Sequence, residues 1–161
     1  MMNASTSLSS EVRDYPLDEA VGYLIARVRS NISNEVSQRT MNALGITSSQ
    51  ASMLFMIGTG RCQVAADLAR YYGIDASAVT RLIDRLEKRK LLRRVRSSED
   101  RRAVRLELTP EGHAIAAQLP DVFCAVTDKA LAGFTPEEVG FLKSMLRRIL
   151  VNIGEPVEGT R

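Results

Sequence analysis

A cluster of basic side chains is the feature of this 161-residue sequence whose residue types and spacing point most directly to a chemical role. Residues 81–105 contain eleven basic and four acidic side chains, a net charge of +7. The rest of the chain carries eleven basic and fifteen acidic side chains, a net charge of −4. A charge run of this length is often only a solvated face. A concentrated positive field on an otherwise acidic molecule is, however, typical of a site that binds a polyanion such as a nucleic acid.

The residue types needed for catalysis are sparse. The chain has a single histidine, His113, and no spacing of serine, histidine and carboxylate residues or of glycines that is typical of an active site. Its two cysteines, Cys62 and Cys124, lie far apart and form no CxxC pair, so neither a zinc site nor a disulfide framework is expected. The sequence therefore predicts no enzyme activity, no metal site and no cofactor.

One cysteine leaves a redox function open as an alternative. Cys62 follows Arg61 in a predicted loop, and a neighbouring cation lowers the pKa of a thiol and raises its reactivity. Most isolated cysteines are inert, small apolar residues instead. Redox sensing through Cys62 stays an alternative, and Cys124, in an apolar stretch, is a weaker candidate.

A long helix is predicted near the start of the chain. Apolar residues recur every three or four positions from Leu17 to about Ala43, which is typical of an amphipathic helix. Asp18 and Glu19 are expected in its first turn, where carboxylates suit the positive end of the helix dipole. Gly45 is expected to end it.

The remaining pattern places the basic cluster between helices, on a helix and a β-hairpin. Capping residues and apolar spacing predict helices over 48–57, 64–72, 76–89, 110–131 and 136–153, with a kink at Pro120. Two strands are expected over 92–96 and 104–108, joined by a polar turn. The fold class predicted is mainly α with one small β-hairpin.

The helix predicted over 76–89 is suited to enter the major groove of DNA. A four-residue turn centred on Gly73-Ile74 precedes it, as in a helix-turn-helix. One face is apolar and packs on the preceding helix; the opposite face carries Ser77, Thr80, Arg81, Asp84 and Lys88. The candidate DNA-binding residues of this helix are Ser77, Thr80, Arg81, Arg85 and Lys88. The first three lie nearest to the base edges and phosphates. The alternative is an amphipathic helix that packs on another protein.

The hairpin carries the other candidate DNA-binding residues, Arg96, Asp100, Arg101 and Arg102. An arginine at the tip of such a hairpin can reach a minor groove, where narrow A·T tracts concentrate negative potential. Asp100 either holds an arginine in place through a charge-assisted pair or bonds its own backbone in the turn. Both interpretations remain open.

Several segments together resemble one protein family. They read SAVTRLIDRLEKR over 77–89, LLRR over 91–94, DRRA over 100–103 and LELTPEG over 106–112. This combination resembles the multiple-antibiotic-resistance regulator (MarR) family of bacterial winged helix-turn-helix repressors. The resemblance covers about residues 64–112, and the flanking helices match the family only in element order.

The resemblance implies a DNA-binding transcription regulator, expected to be a repressor. Family members are homodimers whose terminal helices interleave, which places two winged modules about one DNA turn apart on a pseudo-palindromic site. Arg102 would then be the wing arginine in the minor groove, and Asp100 its supporting carboxylate. Many members release DNA when a small aromatic or other lipophilic acid binds. A winged-helix module that binds protein and has no specific DNA target is the alternative.

One residue departs from the family pattern. Lys90 stands where the family usually has glycine, at the end of the helix over 76–89. Lys90 must either adopt a left-handed backbone conformation, at a cost of about 1 kcal/mol, or end the helix in another way.

The site of a small-molecule effector is only loosely indicated. Asn31, Glu35 and Arg39 share a helix face, and Arg39 is the best counter-charge for a carboxylate ligand on that helix. His113 could line the same cavity or simply lie on the surface. We therefore predict an effector pocket with Asn31, Arg39 and His113, against the alternative that these polar groups form salt bridges between subunits.

These observations predict an organisation for the whole chain. A flexible arm is expected over 1–16, a winged helix-turn-helix DNA-binding domain over 45–109 and a tail over 154–161. The dimerisation region would combine 17–44 with 110–153. No membrane span and no secretory signal are expected, so the predicted location is the cytoplasm.

Overall fold

The computed structural model describes residues 16–96 and 104–154 of the chain. In these parts the chain forms a short 3-10 turn, Leu17–Glu19, followed by seven α-helices and two β-strands. The helices are α1 (Val21–Leu44), α2 (Ser48–Gly58), α3 (Ala65–Tyr72), α4 (Ala76–Lys88), α5 (Pro110–Ala116), α6 (Leu119–Ala130) and α7 (Pro136–Asn152). The strands are β1 (Leu92–Arg96) and β2 (Val104–Leu108). The prediction of a mainly α fold with one β-hairpin is confirmed.

The long first helix begins later than the sequence pattern predicts. Ala20 has an extended backbone (φ −71°, ψ 120°) and separates the 3-10 turn from α1. Asp18 and Glu19 therefore lie in the 3-10 turn, and the first turn of α1 has no acidic residue. The predicted end is correct: Gly45 adopts φ 65° and donates its N–H to the Met41 carbonyl at 3.1 Å. Only glycine adopts this left-handed conformation without strain.

The chain divides into two compact units, Met1–Phe123 and Cys124–Arg161, and the boundary falls inside α6. In the first unit, α2 is the central helix, with α1, α5 and β2 packed against it, while α4 packs on α3 and β1. Its largest fully buried side chains are apolar: Ile46, Met53, Leu54, Leu68, Val79, Ile83, Leu86, Leu92 and Leu119. Thr40 is buried as well, and its hydroxyl donates to the carbonyls of Ile46 (2.7 Å) and Val36 (2.9 Å).

The junction between α4 and β1 contains a strained lysine and a close backbone approach. Lys90 adopts φ 56°, which is the first of the two alternatives that the sequence left open. Its carbonyl accepts a hydrogen bond from the Thr109 hydroxyl at 2.6 Å, which holds the start of α5 against this turn. A Cβ atom at Gly112 would lie 1.9 Å from the Leu91 carbonyl oxygen, so only glycine allows α5 to approach so closely.

The hairpin is antiparallel and pairs Leu92 with Leu108 at one end and Arg96 with Val104 at the other. Leu92, Leu106 and Leu108 are buried, whereas Val104 is exposed, so the apolar side of β2 is buried only in the half next to the core. The residues that join the two strands, including the predicted turn and Asp100, lie outside the described residues.

The predicted single helix with a kink at Pro120 is wrong. The chain forms two helices: α5 ends at Ala116, a turn follows, and α6 begins at Leu119. Pro120 lies in the first turn of α6, where the missing N–H of proline costs no helical hydrogen bond.

The second unit contains α7, which begins with the predicted capping box. The Thr135 hydroxyl accepts from the Glu138 N–H, and the Glu138 carboxylate accepts from the Thr135 N–H. No residue of α7 is buried within the protomer. Across the described parts of the chain, none of the helices has the length and apolar character needed to cross a membrane.

Candidate nucleic-acid interface

The helix α4 presents a polar face to solvent because its apolar face is fixed in the core. Val79, Ile83 and Leu86 are buried, and Leu82 packs against the same cluster while remaining partly exposed. Gly73 adopts φ 59° in the turn between α3 and α4 and ends α3. The predicted helix-turn-helix is therefore present, with α4 in the position of its second helix.

All five DNA-binding residues predicted on α4 are exposed: Ser77, Thr80, Arg81, Arg85 and Lys88. They span eleven residue steps, or about 16 Å along the helix axis. Among the described residues, none of the three basic side chains is within 4.0 Å of a carboxylate. Three cations on one helix face, without internal partners in that part of the chain, suit the phosphates of a polyanion.

The hydroxyl groups at the start of α4 are held by the helix itself. Asp75 caps the helix by accepting from the Ser77 N–H at 3.2 Å, and the Ser77 hydroxyl donates to the same carboxylate. This hydrogen bond from the Ser77 side chain holds the pKa of Asp75 below its ordinary value. The Thr80 hydroxyl donates to the Ala76 carbonyl at 2.9 Å. Neither hydroxyl hydrogen is free in the uncomplexed protein.

An ion-pair cluster joins α4 to the hairpin, and the sequence reasoning missed it. The guanidinium of Arg94 on β1 lies 2.6 Å from the Asp84 carboxylate and also binds the Glu87 carboxylate. The Arg94 N–H donates to Glu87 at 3.2 Å, and the bond to Asp84 is the main cause of the raised pKa of Arg94. The sequence does contain a signal for this cluster. Asp84 and Glu87 lie one helical turn apart within a basic segment, and such a pair of acids indicates a cation nearby.

Two further arginines of the basic segment also have internal partners. Arg93 contacts Glu107 across the hairpin at 2.9 Å, as their register requires. Arg89 donates to the carbonyl of Gly45 at 2.7 Å and so links the end of α4 to the end of α1. The count of eleven basic side chains in residues 81–105 therefore overstates the number available to a partner.

The predicted wing residues are described only in part. Arg96 is exposed at the end of β1, where it pairs with Val104. Asp100, Arg101 and Arg102 lie outside the described residues. Their predicted contacts with DNA stay predictions.

The thiol of Cys62 is not the activated group that its neighbour Arg61 suggested. Cys62 is 5% exposed and packs in the main core. Burial raises the pKa of this thiol, the charge of Asp67 adds to the rise, and Arg61 opposes it only in part. Burial and a raised pKa both disfavour a reactive thiolate, so the structure gives no support to activation of Cys62 by Arg61. Cys124, placed by the sequence in an apolar stretch, is exposed.

The residues predicted for an effector pocket show no shared contact in the described structure. Arg39 pairs with Glu35 one turn earlier on α1, at 3.0 Å. Asn31 is exposed two turns before Arg39, about 12 Å along the axis. His113 is exposed on α5, which packs mainly on α2 and β2. The effector pocket stays a prediction.

Comparisons with known proteins agree with this geometry. A model of the MarR family matches residues 46–104, which include α2, α3, α4 and β1. The chain is 27% identical over 154 residues to the multiple antibiotic resistance protein MarR of Salmonella typhimurium, covering 92% of this chain and 99% of that protein.

Solved structures are similar in sequence and fold. The crystal structure of the transcriptional regulator PA3341 is 30% identical and superposes with a TM-score of 0.70, covering 83% of this chain and 98% of that one. A mutant of MarR from E. coli complexed with operator DNA is 27% identical, with a TM-score of 0.72, covering 81% of this chain and 93% of that one.

Proposed function

The chain belongs to the MarR family of DNA-binding transcription regulators, and we propose that it is a homodimeric repressor that lays α4 in the major groove of its operator. Membership of this family also places the chain among regulators rather than enzymes. The proposal assigns DNA binding to residues 45–109 and dimerisation to 17–44 together with 110–153.

The observation that carries the proposal is the outer face of α4. Arg81, Arg85 and Lys88 are exposed there without an ion pair among the described residues, while Asp84 and Glu87 are both bound by Arg94, whose single positive charge offsets one of their two negative charges. The helix therefore presents positive charge even though its sequence contains two acids. Its orientation is fixed by the buried apolar face, so the cations cannot turn into the core.

In the proposed complex, the residues of α4 contact different parts of the DNA according to their position along the helix. Ser77 and Thr80, near the start of the helix, face base edges in the major groove, as the recognition helices of this class do. Arg81, Arg85 and Lys88 bind phosphates along the same groove, or guanine in the case of Arg81. Arg96, Arg101 and Arg102 of the hairpin bind the adjacent minor groove, and Asp100 positions one of these arginines.

Apolar faces outside the DNA-binding module support the proposed dimer. Val21, Leu24 and Val28 of α1 are 64%, 47% and 56% exposed, and Phe141 of α7 is 70% exposed. Large apolar side chains grouped in this way are typical of protein contact surfaces. Pairing them between two copies would place the two α4 helices on half-sites about one DNA turn apart.

The proposal includes release from DNA by a small lipophilic acid. It rests on the resemblance, which supplies the ligand class, and on Arg39. The Arg39 guanidinium, which pairs with Glu35, could pair with a ligand carboxylate instead. Release would follow if the acid binds better to a dimer whose α4 helices no longer match the groove spacing. Redox control through Cys62 is not proposed, because its thiol is buried and its pKa is raised.

A titration with DNA at several salt concentrations tests the proposed function. Wild-type protein binds a duplex containing the region upstream of its own reading frame, and log K is plotted against log[salt]. We expect a steep negative slope, since each phosphate contact contributes about 0.9 to its magnitude. In Arg81→Ala the affinity falls and the slope becomes shallower by about one contact.

The control is Arg93→Ala, which removes the same charge from the same segment. The Arg93 guanidinium is already bound to Glu107, so this variant should keep the slope of the wild type. A shallow slope with no preference for the upstream duplex over an unrelated one would support the protein-binding alternative and overturn the proposed function.

A further inference from the structure

Thr80 offers a methyl group rather than a hydroxyl to whatever lies in front of α4. It is exposed in the second turn of the helix, and its hydroxyl donates to the Ala76 carbonyl at 2.9 Å. Threonine has few side-chain rotamers in a helix, and this bond to the preceding turn selects one of them. With the oxygen turned toward the backbone, the γ-methyl is the remaining group on Cβ.

The surroundings of Thr80 make a phosphate an unsuitable partner for it. The Asp75 carboxylate, at the N-cap five residues before Thr80, is exposed and binds both the N–H and the hydroxyl of Ser77. It places negative charge at this end of α4, and the two hydroxyl hydrogens nearby are already donated within the helix. The cations Arg81, Arg85 and Lys88 all follow Thr80 in the sequence. The start of α4 therefore suits a base edge, while the later turns suit phosphates.

From these contacts we propose that Thr80 recognises the C5-methyl group of a thymine in the major groove and so determines part of the operator sequence. The inference rests on the proposed function, in which α4 enters that groove. Thymine is the only base with a methyl group on its major-groove edge, and a threonine methyl is an established apolar partner for it. Because the hydroxyl is held by Ala76, the contact depends on the methyl and not on a hydrogen bond to the base.

Two substitutions at position 80 separate the methyl from the hydroxyl. Thr80→Ser keeps the hydroxyl and removes the methyl. Thr80→Val keeps the shape, including the methyl, and removes the hydroxyl. Because Thr80 is exposed, neither change disturbs the core. Circular dichroism and thermal unfolding of the three proteins check that both variants fold.

The experiment begins with the full chain and a library of duplexes with a randomised centre. The duplexes that bind are selected, and each thymine of the selected site is replaced in turn by deoxyuridine, which lacks only the C5-methyl. Wild type and Thr80→Val should lose about four-fold in affinity at one thymine of each half-site, the factor expected for one buried methyl group. Thr80→Ser should bind the thymine and uracil duplexes equally.

The outcomes distinguish this inference from the function on which it rests. If the library yields no preferred sequence, the proposed specific binding to DNA fails, and the inference fails with it. If a sequence is selected but no thymine shows this pattern, or Thr80→Ser keeps the thymine preference, the inference alone is overturned. A loss of preference confined to Thr80→Val would assign the recognition to the hydroxyl and would also overturn it.

Discussion

Lys90 adopts a backbone conformation, φ 56°, that favours glycine. Two hydrogen bonds hold the turn around Lys90. The Lys90 N–H donates to the backbone carbonyl of Glu87, and the Lys90 carbonyl accepts from the Thr109 hydroxyl. The fold therefore imposes the strain, at a cost of about 1 kcal/mol.

We predict that Lys90→Gly does not lower the free energy of unfolding. Glycine relieves the left-handed strain, and this gain offsets the greater freedom of a glycine in the unfolded chain. Lys90→Ala is the matched control, because alanine keeps the strain; we expect it to be no more stable than Lys90→Gly, since the relieved strain in glycine offsets the greater freedom of glycine in the unfolded chain. Urea unfolding of the three proteins measures this, and a clear drop in the midpoint for Lys90→Gly would contradict the explanation.

At the residue scale, the outer face of α4 could be predicted because it depends only on helical periodicity. Once Val79, Ile83 and Leu86 are placed in the core, the orientation of Arg81 and Arg85 follows. The partners of Arg89, Arg93 and Arg94 could not be predicted in the same way. They depend on which carbonyl or carboxylate the tertiary fold brings near, and the charge of a sequence segment contains no such information.

At the scale of elements, Arg94 connects α4 with the hairpin. Asp84 and Glu87 supply the α4 side of this connection, and the Arg94 side chain is 34% exposed. Exposed ion pairs contribute about 0.2–1 kcal/mol each, so the cluster is a modest source of stability. Its larger effect is on the interface, since the charge of Arg94 offsets one of the two negative charges on this face of α4 and the pairs fix β1 beside that helix.

We predict that Arg94→Ala weakens DNA binding more than it weakens folding. Removing Arg94 leaves Asp84 and Glu87 without their cation and releases the hairpin from α4. The free energy of unfolding should fall by less than about 2 kcal/mol, whereas affinity for the selected duplex should fall at least about ten-fold, the effect of 1.4 kcal/mol.

Arg94→Lys provides the control for this prediction. It restores one positive charge but cannot bind both carboxylates through a planar fork, so its affinity should lie between those of the alanine variant and the wild type. Calorimetry and anisotropy titration give the two quantities. Unchanged DNA affinity in Arg94→Ala would show that the cluster serves the fold only.

The element boundaries show where periodicity is a weak guide. The spacing of apolar residues continues through Ala20 and Pro120. At Ala20, however, the extended backbone separates the 3-10 turn from α1, and near Pro120 a new helix, α6, begins. Backbone interruptions of one or two residues do not disturb an apolar repeat, so the pattern predicts one helix where two exist. The capping residues Thr47, Asp75, Thr109 and Thr135, in contrast, correctly predicted the starts of four helices.

At the scale of the whole molecule, the single chain leaves much apolar surface exposed. Apolar side chains recur along one stripe of α7, but Met145, Leu146, Ile149 and Leu150 remain 53%, 40%, 36% and 38% exposed. Periodicity predicts that such a stripe is buried and does not say whether the same chain or another copy buries it. The proposed dimer assigns this role to a second copy.

The central claim is that a dimer of this chain binds DNA through two α4 helices at once. The most direct test is the affinity of the full chain for the selected duplex and for the same duplex with five base pairs inserted at its centre. The insertion turns one half-site to the opposite face of the DNA. We predict a loss of about a hundred-fold or more, toward the affinity for a random duplex. Equal affinity for both duplexes would contradict the account, because each chain would then be binding DNA alone.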